Sequence, residues 1–215
     1  MIQIFSDFDG TITNRDSIVF LTETFGGGRE FRHNVLAELE KGKLDVFETI
    51  QTELASVKAS WAKASCSLLQ NISVDPAFFD FVDWCHEHSH PIVVVSSGIR
   101  QVLSLFIGEL DVPFYAHPVE ITKNGWLYQK DEQSDKACVL REAQSNGRIV
   151  YIGDGISDLS VVNYVDFLFA KHRLAKYCVE FSIPFFPFES FCDVQRQLEK
   201  LLENRVHPIT DSPHT

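Results

Sequence analysis

The chain has 215 residues, 45% hydrophobic and 23% charged, enough to bury one good core and a small second module. Its net charge of −11 leaves no basic stripe to displace counterions from a phosphate backbone, which excludes nucleic acid and anionic membrane surfaces as partners. No apolar segment approaches the roughly 18 to 20 residues that span a bilayer, and no signal peptide precedes the first apolar run, so a cytoplasmic protein is expected.

The first run, Ile2-Gln3-Ile4-Phe5, is short, apolar and β-branched and stops at Asp7-Phe8-Asp9-Gly10-Thr11. It predicts a buried strand near residues 2–6 with acidic residues hanging from its carboxyl end. On an extended backbone Asp7 and Asp9 point the same way, and Phe8 points opposite, into the core. Two carboxylates held that close raise each other's pKa unless a cation relieves the repulsion, and a hard ion such as Mg²⁺ takes such oxygen ligands. An aspartate pair alone is equally a turn or helix cap, so the rest of the chain decides.

Residues 16–72 carry helical periodicity: Ile18, Phe20, Leu21, Phe25, then Phe31, Val35, Leu36, Leu39, then Val46, Phe47, Ile50, Leu54, then Trp61, Leu68, Leu69. Gly26-Gly27-Gly28 reads as a loop and Gly42 as a helix stop, so a four-helix insert is predicted. Arg15, Arg29, Arg32 and Lys43 read as solvated charges. His86-Glu87-His88-Ser89-His90 precedes Pro91 and reads as a helix carboxyl end rather than a metal site. Ile92-Val93-Val94-Val95 predicts a second strand ending in Ser96-Ser97-Gly98, with a helix from Ile99.

A third strand is expected near 114–116, then a hairpin near 118–129 around Lys123-Asn124-Gly125, where Asn-Gly favours a tight turn. A helix from Ser134 to Ala143 carries Lys136 in its first turn. Ile149-Val150-Tyr151-Ile152 is a further strand that delivers Gly153-Asp154 and then Asp158, and strands near 166–169 and 183–186 follow. Phe185-Phe186-Pro187-Phe188 reads as a buried final strand and its turn. Cys66, Cys85, Cys138, Cys178 and Cys192 are odd in number and lack Cys-x-x-Cys spacing, as reduced thiols do. The polar tail 204–215, with Pro208 and Pro213, is expected to be disordered.

These elements predict an α/β fold, a Rossmann-like doubly wound parallel sheet, with residues 1–15 and 73–203 as its core domain and 16–72 inserted. The acidic clusters then meet at the carboxyl edge of the sheet, where such folds bind ligands.

With Asp7-Phe8-Asp9-Gly10-Thr11, Ser96, Lys136 and Gly153-Asp154-Gly155-Ile156-Ser157-Asp158 in this order, the chain resembles the haloacid dehalogenase-like (HAD) phosphatase superfamily. The resemblance implies that Asp7 attacks phosphorus to give an aspartyl-phosphate, and that Asp9 protonates the leaving oxygen and then activates water. It implies Mg²⁺ held by Asp7, Asp154, Asp158 and the main-chain carbonyl of Asp9, with Ser96, Ser97 and Lys136 binding the transferring phosphoryl group. It also makes the insert a helical cap that covers the site and contacts the leaving group.

Within the superfamily the chain is most similar to the subgroup of phosphoserine phosphatase and the methionine-salvage phosphatase. Thr11-Ile12-Thr13, Gly42-Lys43-Leu44, Lys123-Asn124-Gly125 and Phe188-Glu189-Ser190-Phe191 carry that likeness, which extends over residues 2–202. Asp16 stands where phosphoserine phosphatases carry an acidic residue for the substrate amine. Glu53 stands where they carry a cap arginine for the substrate carboxylate, and a carboxylate there repels phosphoserine; Thr52 falls near the place of the salvage enzyme's arginine. Asp16 and Glu53 together would favour an amine-bearing leaving group such as phosphoethanolamine or phosphocholine. The expected activity is Mg²⁺-dependent hydrolysis of a small phosphorylated metabolite by a monomer or homodimer. A phosphotransferase using an alcohol acceptor and a phospho-accepting signalling domain are the alternatives, and the insert speaks against the second.

Overall fold

Period-two alternation in the apolar runs decides the layering. The structure, a computed structural model, describes residues 2–203; the tail expected to be disordered lies outside the described residues. Strands β1 (Ile2–Ser6), β2 (Ile92–Ile99) and β3 (Phe114–His117) are followed by a separate antiparallel hairpin, β4 (Val119–Thr122) and β5 (Gly125–Tyr128). Then come β6 (Arg148–Gly153), β7 (Phe167–Ala170) and β8 (Phe186–Pro187). The main sheet has the order β3-β2-β1-β6-β7-β8 with every neighbouring pair parallel.

Alternate residues of β1 and β6 feed opposite faces. Ile2, Ile4, Val150 and Ile152 enter one core, whereas Phe5, Ile149 and Tyr151 enter the other. Helices α5 (Pro76–Glu87), α6 (Arg100–Ile107) and α9 (Phe191–Leu202) pack on the first face, and α7 (Lys136–Ala143) and α8 (His172–Glu180) on the second. The Phe191 ring lies 4.9 Å from that of Phe78 and 5.4 Å from that of Phe81, which locks α9 against α5. This is the expected doubly wound sheet. Connections leave β1 and β6 in opposite directions, so the switch point lies between these two neighbours.

Four helices occupy the stretch between β1 and α5: α1 (Ser17–Phe25), α2 (Gly28–Glu40), α3 (Val46–Ala55) and α4 (Trp61–Asn71). Their starts are written locally. Asp16 caps α1 by accepting from the Val19 N–H, Asp45 and Glu48 form a capping box on α3, and Ser60 caps α4. Helix α3 lies on β5, where Trp126 Nε1 donates to the Ala59 carbonyl at 2.8 Å and the Phe47 ring sits 4.9 Å from that of Tyr128. The Tyr128 hydroxyl in turn donates to the Ser97 carbonyl, so the hairpin ties the inserted helices to the end of β2. Among the described residues no helix is long and apolar enough to cross a membrane.

Three boundaries differ from the expectation. Strand β2 runs on to Ile99, which pairs with His117 after an irregularity beyond Val95, so α6 starts at Arg100. The helix expected from Ser134 begins at Lys136, because the Asp135 side chain accepts from the Cys138 N–H at 2.9 Å and fixes the start there. The strand expected at 183–186 is only Phe186–Pro187. The Ile183 N–H is already given to the Cys178 carbonyl at the end of α8, and the prolines at 184 and 187 have no N–H to give a ladder.

Candidate active site

Strand β1 ends by handing the Asp7 N–H to the Ile152 carbonyl of β6 at 2.8 Å, which holds Asp7 at the switch point. The chain then turns tightly: the N–H groups of Thr11, Ile12 and Thr13 all donate to the Phe8 carbonyl, with Gly10 at φ +79°. A side chain at Gly10 would be strained at that φ, and its Cβ would come within 2.5 Å of Asp154 Oδ2. Phe8 is fully buried in the core, while Asp7 and Asp9 both line the same cavity.

Asp154 arrives from the end of β6, next to β1, and Asp158 follows from a 3₁₀ segment, Ile156–Tyr164. One carboxylate oxygen from each of Asp7, Asp154 and Asp158 lies within 4.8 Å of the others. Thr11 Oγ1 donates between Asp7 Oδ2 (3.4 Å) and Asp154 Oδ1 (3.2 Å). Lys136, at the first position of α7 and buried, donates at 2.6 Å to Asp7 Oδ1 and at 2.6 Å to Asp158 Oδ1.

The three carboxylates are not equivalent. Asp158 is saturated: Oδ1 accepts from Lys136 and from the Tyr151 hydroxyl at 2.6 Å, and Oδ2 from the N–H groups of Asp154 (3.0 Å) and Gly155 (2.9 Å). Its lone pairs are spent on orientation. Asp7 and Asp154 keep acceptor capacity facing the cavity. Burial, then the repulsion of Asp158 and Asp154, pushes the Asp7 carboxyl up to about 8 despite Lys136. Burial followed by the charges of Asp158 and Asp16 raises Asp154 to about 7. Burial acts to lower Lys136, but Asp158 and Asp7 beside it overcome that and raise it. A hard divalent cation fits this donor set, since its charge would stabilise the anionic form of Asp7 and Asp154 that burial and mutual repulsion disfavour.

Asp9 stands apart from that cluster. The Ser17 N–H donates to its Oδ1 at 2.7 Å, and its Oδ2 is buried without a partner. Burial first, then Asp16, raises its pKa well above the usual carboxylate range. Ser96 is buried after the regular part of β2, and its Oγ accepts from the Gly98 N–H at 2.9 Å; Ser96, Ser97 and Gly98 line the cavity, with Gly98 against Asp9.

The remaining wall of this cavity, about 200 Å³ in volume, comes from α1, α2, α3 and the loop after β6. Asp16 and Glu53 both line it. Arg32, read from the sequence as a solvated charge, also lines it, with Nε 3.6 Å from Glu53 Oε1 and a side chain only 26% exposed. The signal was present in the spacing: Arg32 is in phase with Leu36 and Leu39 on α2, as Thr49 and Glu53 are with Val46 and Ile50 on α3. Thr11 and Tyr151 are two further polar partners that the motifs did not single out by role. Thr11 closes the first motif, whereas nothing local distinguishes Tyr151 from an apolar strand residue.

Residues 4–162 match the family model of the haloacid dehalogenase-like hydrolases. The chain is similar to Pdp3-interacting factor 1 of Schizosaccharomyces pombe, with 32% identity over 93% of this chain and 96% of that one. It is 30% identical to the polyol phosphate phosphatase PYP1 of Saccharomyces cerevisiae, over 93% of each chain. It is also 30% identical to the 2-hydroxy-3-keto-5-methylthiopentenyl-1-phosphate phosphatase of Bacillus cytotoxicus, over 95% of this chain and 99% of that one. In fold it is similar to a substrate-bound phosphoserine phosphatase, with a TM-score of 0.70 at 16% identity over 92% of this chain and 96% of that one. Motif order, the sheet that brings the motifs together and these likenesses agree, and the chain belongs to the haloacid dehalogenase-like hydrolase family.

Proposed function

We propose that the protein is a phosphoric monoester hydrolase that forms an aspartyl-phosphate on Asp7 and takes small phosphorylated metabolites as substrates. The observation that carries this reading is the placement of Asp9, its Oδ2 buried without a partner, in one cavity with Asp7, whose other neighbours are the Lys136 cation and Ser96-Ser97-Gly98 at the end of β2. Asp7 Oδ2 attacks phosphorus while Asp9 gives its proton to the departing oxygen; water activated by Asp9 then releases phosphate. Lys136 and Ser96 hold the equatorial oxygens, which is where most of the stabilisation of phosphoryl transfer comes from. Asp7 and Asp154, with the Asp9 main-chain carbonyl, would hold Mg²⁺, and Asp158 would keep Lys136 in place. When bound, the ion supplies charge neutralisation that lets an anionic carboxylate approach an anionic phosphate.

The four inserted helices act as the cap, residues 16–72 over a core of 1–15 and 73–203. Their polar residues at the cavity wall set substrate choice. Five free cysteines suit a reducing compartment such as the cytoplasm. The test is phosphate release from a panel of phosphomonoesters with and without Mg²⁺, together with borohydride trapping of the acyl-phosphate and mass spectrometry. Label on Asp7 and loss of turnover in Asp7→Asn are expected. Turnover by Asp7→Asn at the rate of the unsubstituted protein would exclude the mechanism. An added alcohol acceptor that diverts phosphate from water would instead assign a phosphotransferase.

A further inference from the structure

The end of the cavity away from Asp7 is polar, and its charges are partly offset. Arg32 lies between Glu53, at 3.6 Å, and Asp16, whose carboxyl is raised by burial but drawn back by the Val19 N–H and by Arg32. At the rim Arg173 pairs with Glu40 at 3.3 Å. Arg32 Nε is buried and makes no hydrogen bond, since 3.6 Å is too long for one. Within the same cavity Asp9 Oδ2 is the other buried atom without a partner. Thr49 spends its hydroxyl proton on the Asp45 carbonyl at 2.7 Å and so presents only lone pairs. The wall therefore offers acceptors at Asp16, Glu53 and Thr49 and one unsatisfied donor at Arg32.

We infer that the Arg32–Glu53 pair selects an uncharged, polyhydroxylated leaving group, hydroxyls donating to Glu53 and Asp16 and accepting from Arg32 Nε; the inference rests on the hydrolase activity proposed above. A carboxylate in the leaving group would face Asp16 and Glu53, with Arg32 already paired to Glu53 and Arg173 to Glu40. An ammonium would lose its water for two carboxylates of which Arg32 already pairs with one and the Val19 N–H already donates to the other. A hydroxyl both donates and accepts, and it satisfies the orphaned Nε, which burial otherwise leaves without a partner. The volume of about 200 Å³ sits below the roughly 300–1,000 Å³ of drug-sized sites, which limits the leaving group to a few carbons. This replaces the amine preference drawn from Asp16 and Glu53 alone, which left Arg32 in solvent.

The test is kcat/KM, with Mg²⁺, for glycerol 3-phosphate and ribitol 5-phosphate against phosphoserine and phosphoethanolamine, on the unsubstituted protein and on Glu53→Gln and Arg32→Gln. The unsubstituted protein is expected to favour the better polyol phosphate by about ten-fold or more over either charged substrate. Glu53→Gln, which frees the guanidinium, should raise the phosphoserine-to-polyol ratio about ten-fold, and Arg32→Gln should raise the phosphoethanolamine-to-polyol ratio similarly. A preference of the unsubstituted protein for either charged substrate overturns the inference, whether or not the variants fold. So does a common factor across all substrates in both variants. Hydrolysis of p-nitrophenyl phosphate separates the two levels: none at all sinks the hydrolase reading itself, whereas turnover without polyol preference sinks only the role of Arg32 and Glu53.

Discussion

Lys136 Nζ lies 2.6 Å from Asp158 Oδ1, with both side chains buried beneath the cavity. The contact ties the start of α7 to the 3₁₀ segment after β6, and it gives Asp158 a cationic partner that Asp154 does not share at hydrogen-bond distance. Asp158→Asn keeps the shape and loses the charge. A stability loss of about 3 kcal/mol is expected in urea denaturation, as for a broken buried pair. Mg²⁺ affinity should fall less than in Asp154→Asn, because the oxygens of Asp154 face the cavity. Equal loss of affinity in a metal titration would make Asp158 a direct ligand.

Lys136→Ala is expected to hurt turnover, and it also leaves Asp7 and Asp158 buried against one another with their shared cation gone. A loss of about 3–5 kcal/mol is expected along with turnover. Added Mg²⁺ should restore part of the stability. Urea denaturation of the variant at two Mg²⁺ concentrations measures both effects, and an unchanged midpoint would contradict the pairing.

Gly98 is backed against Asp9, the proposed proton donor. A Cβ there would overlap Asp9 Oδ2 and approach Ser96 Oγ to 3.0 Å. Gly98→Ala should displace Asp9 and lower kcat by about 10- to 100-fold, the scale of a mispositioned general acid. Stability should change little. A kcat within two-fold of the unsubstituted protein, on p-nitrophenyl phosphate, would show that Asp9 tolerates the shift.

Glu53 is 4% exposed, and burial raises its carboxyl to about 7, Arg32 pulling the other way. Because the folded pKa lies above the unfolded value of 4.5, the folded chain holds the extra proton between these limits. Stability from this group is therefore full below pH 4.5 and is lost as pH rises through about 7. The loss is at most about 3 kcal/mol by linkage. Unfolding free energies at pH 5 and pH 8 should differ less in Glu53→Gln than in the unsubstituted protein by up to that amount. An identical difference in both would place Glu53 outside the titrating groups.

Chain order and local pattern carried a great deal. Asp7-Phe8-Asp9 after an alternating apolar run already implied that Phe8 turns inward and two carboxylates turn out, because side-chain direction on an extended backbone depends on nothing beyond the strand itself. The same holds for the capped helix starts at Asp16, Asp45 and Ser60, where the bond partner is three residues away. Two parallel strands joined through helices can only put their carboxyl ends on one edge, so Asp7 and Asp154 were bound to meet.

What required the folded molecule was every property that belongs to a pair of residues distant in sequence. Arg32 looked solvated until Glu53 appeared 3.6 Å away across two helices, and nothing in the motif showed that Lys136, Tyr151 and two backbone N–H groups all donate to Asp158. The final strand shrank to two residues because Cys178, on the preceding helix, had claimed the Ile183 N–H. Charge state, ligand capacity and hydrogen-bond supply are set by whichever groups tertiary packing brings within a few ångströms, and spacing along the chain does not contain that information.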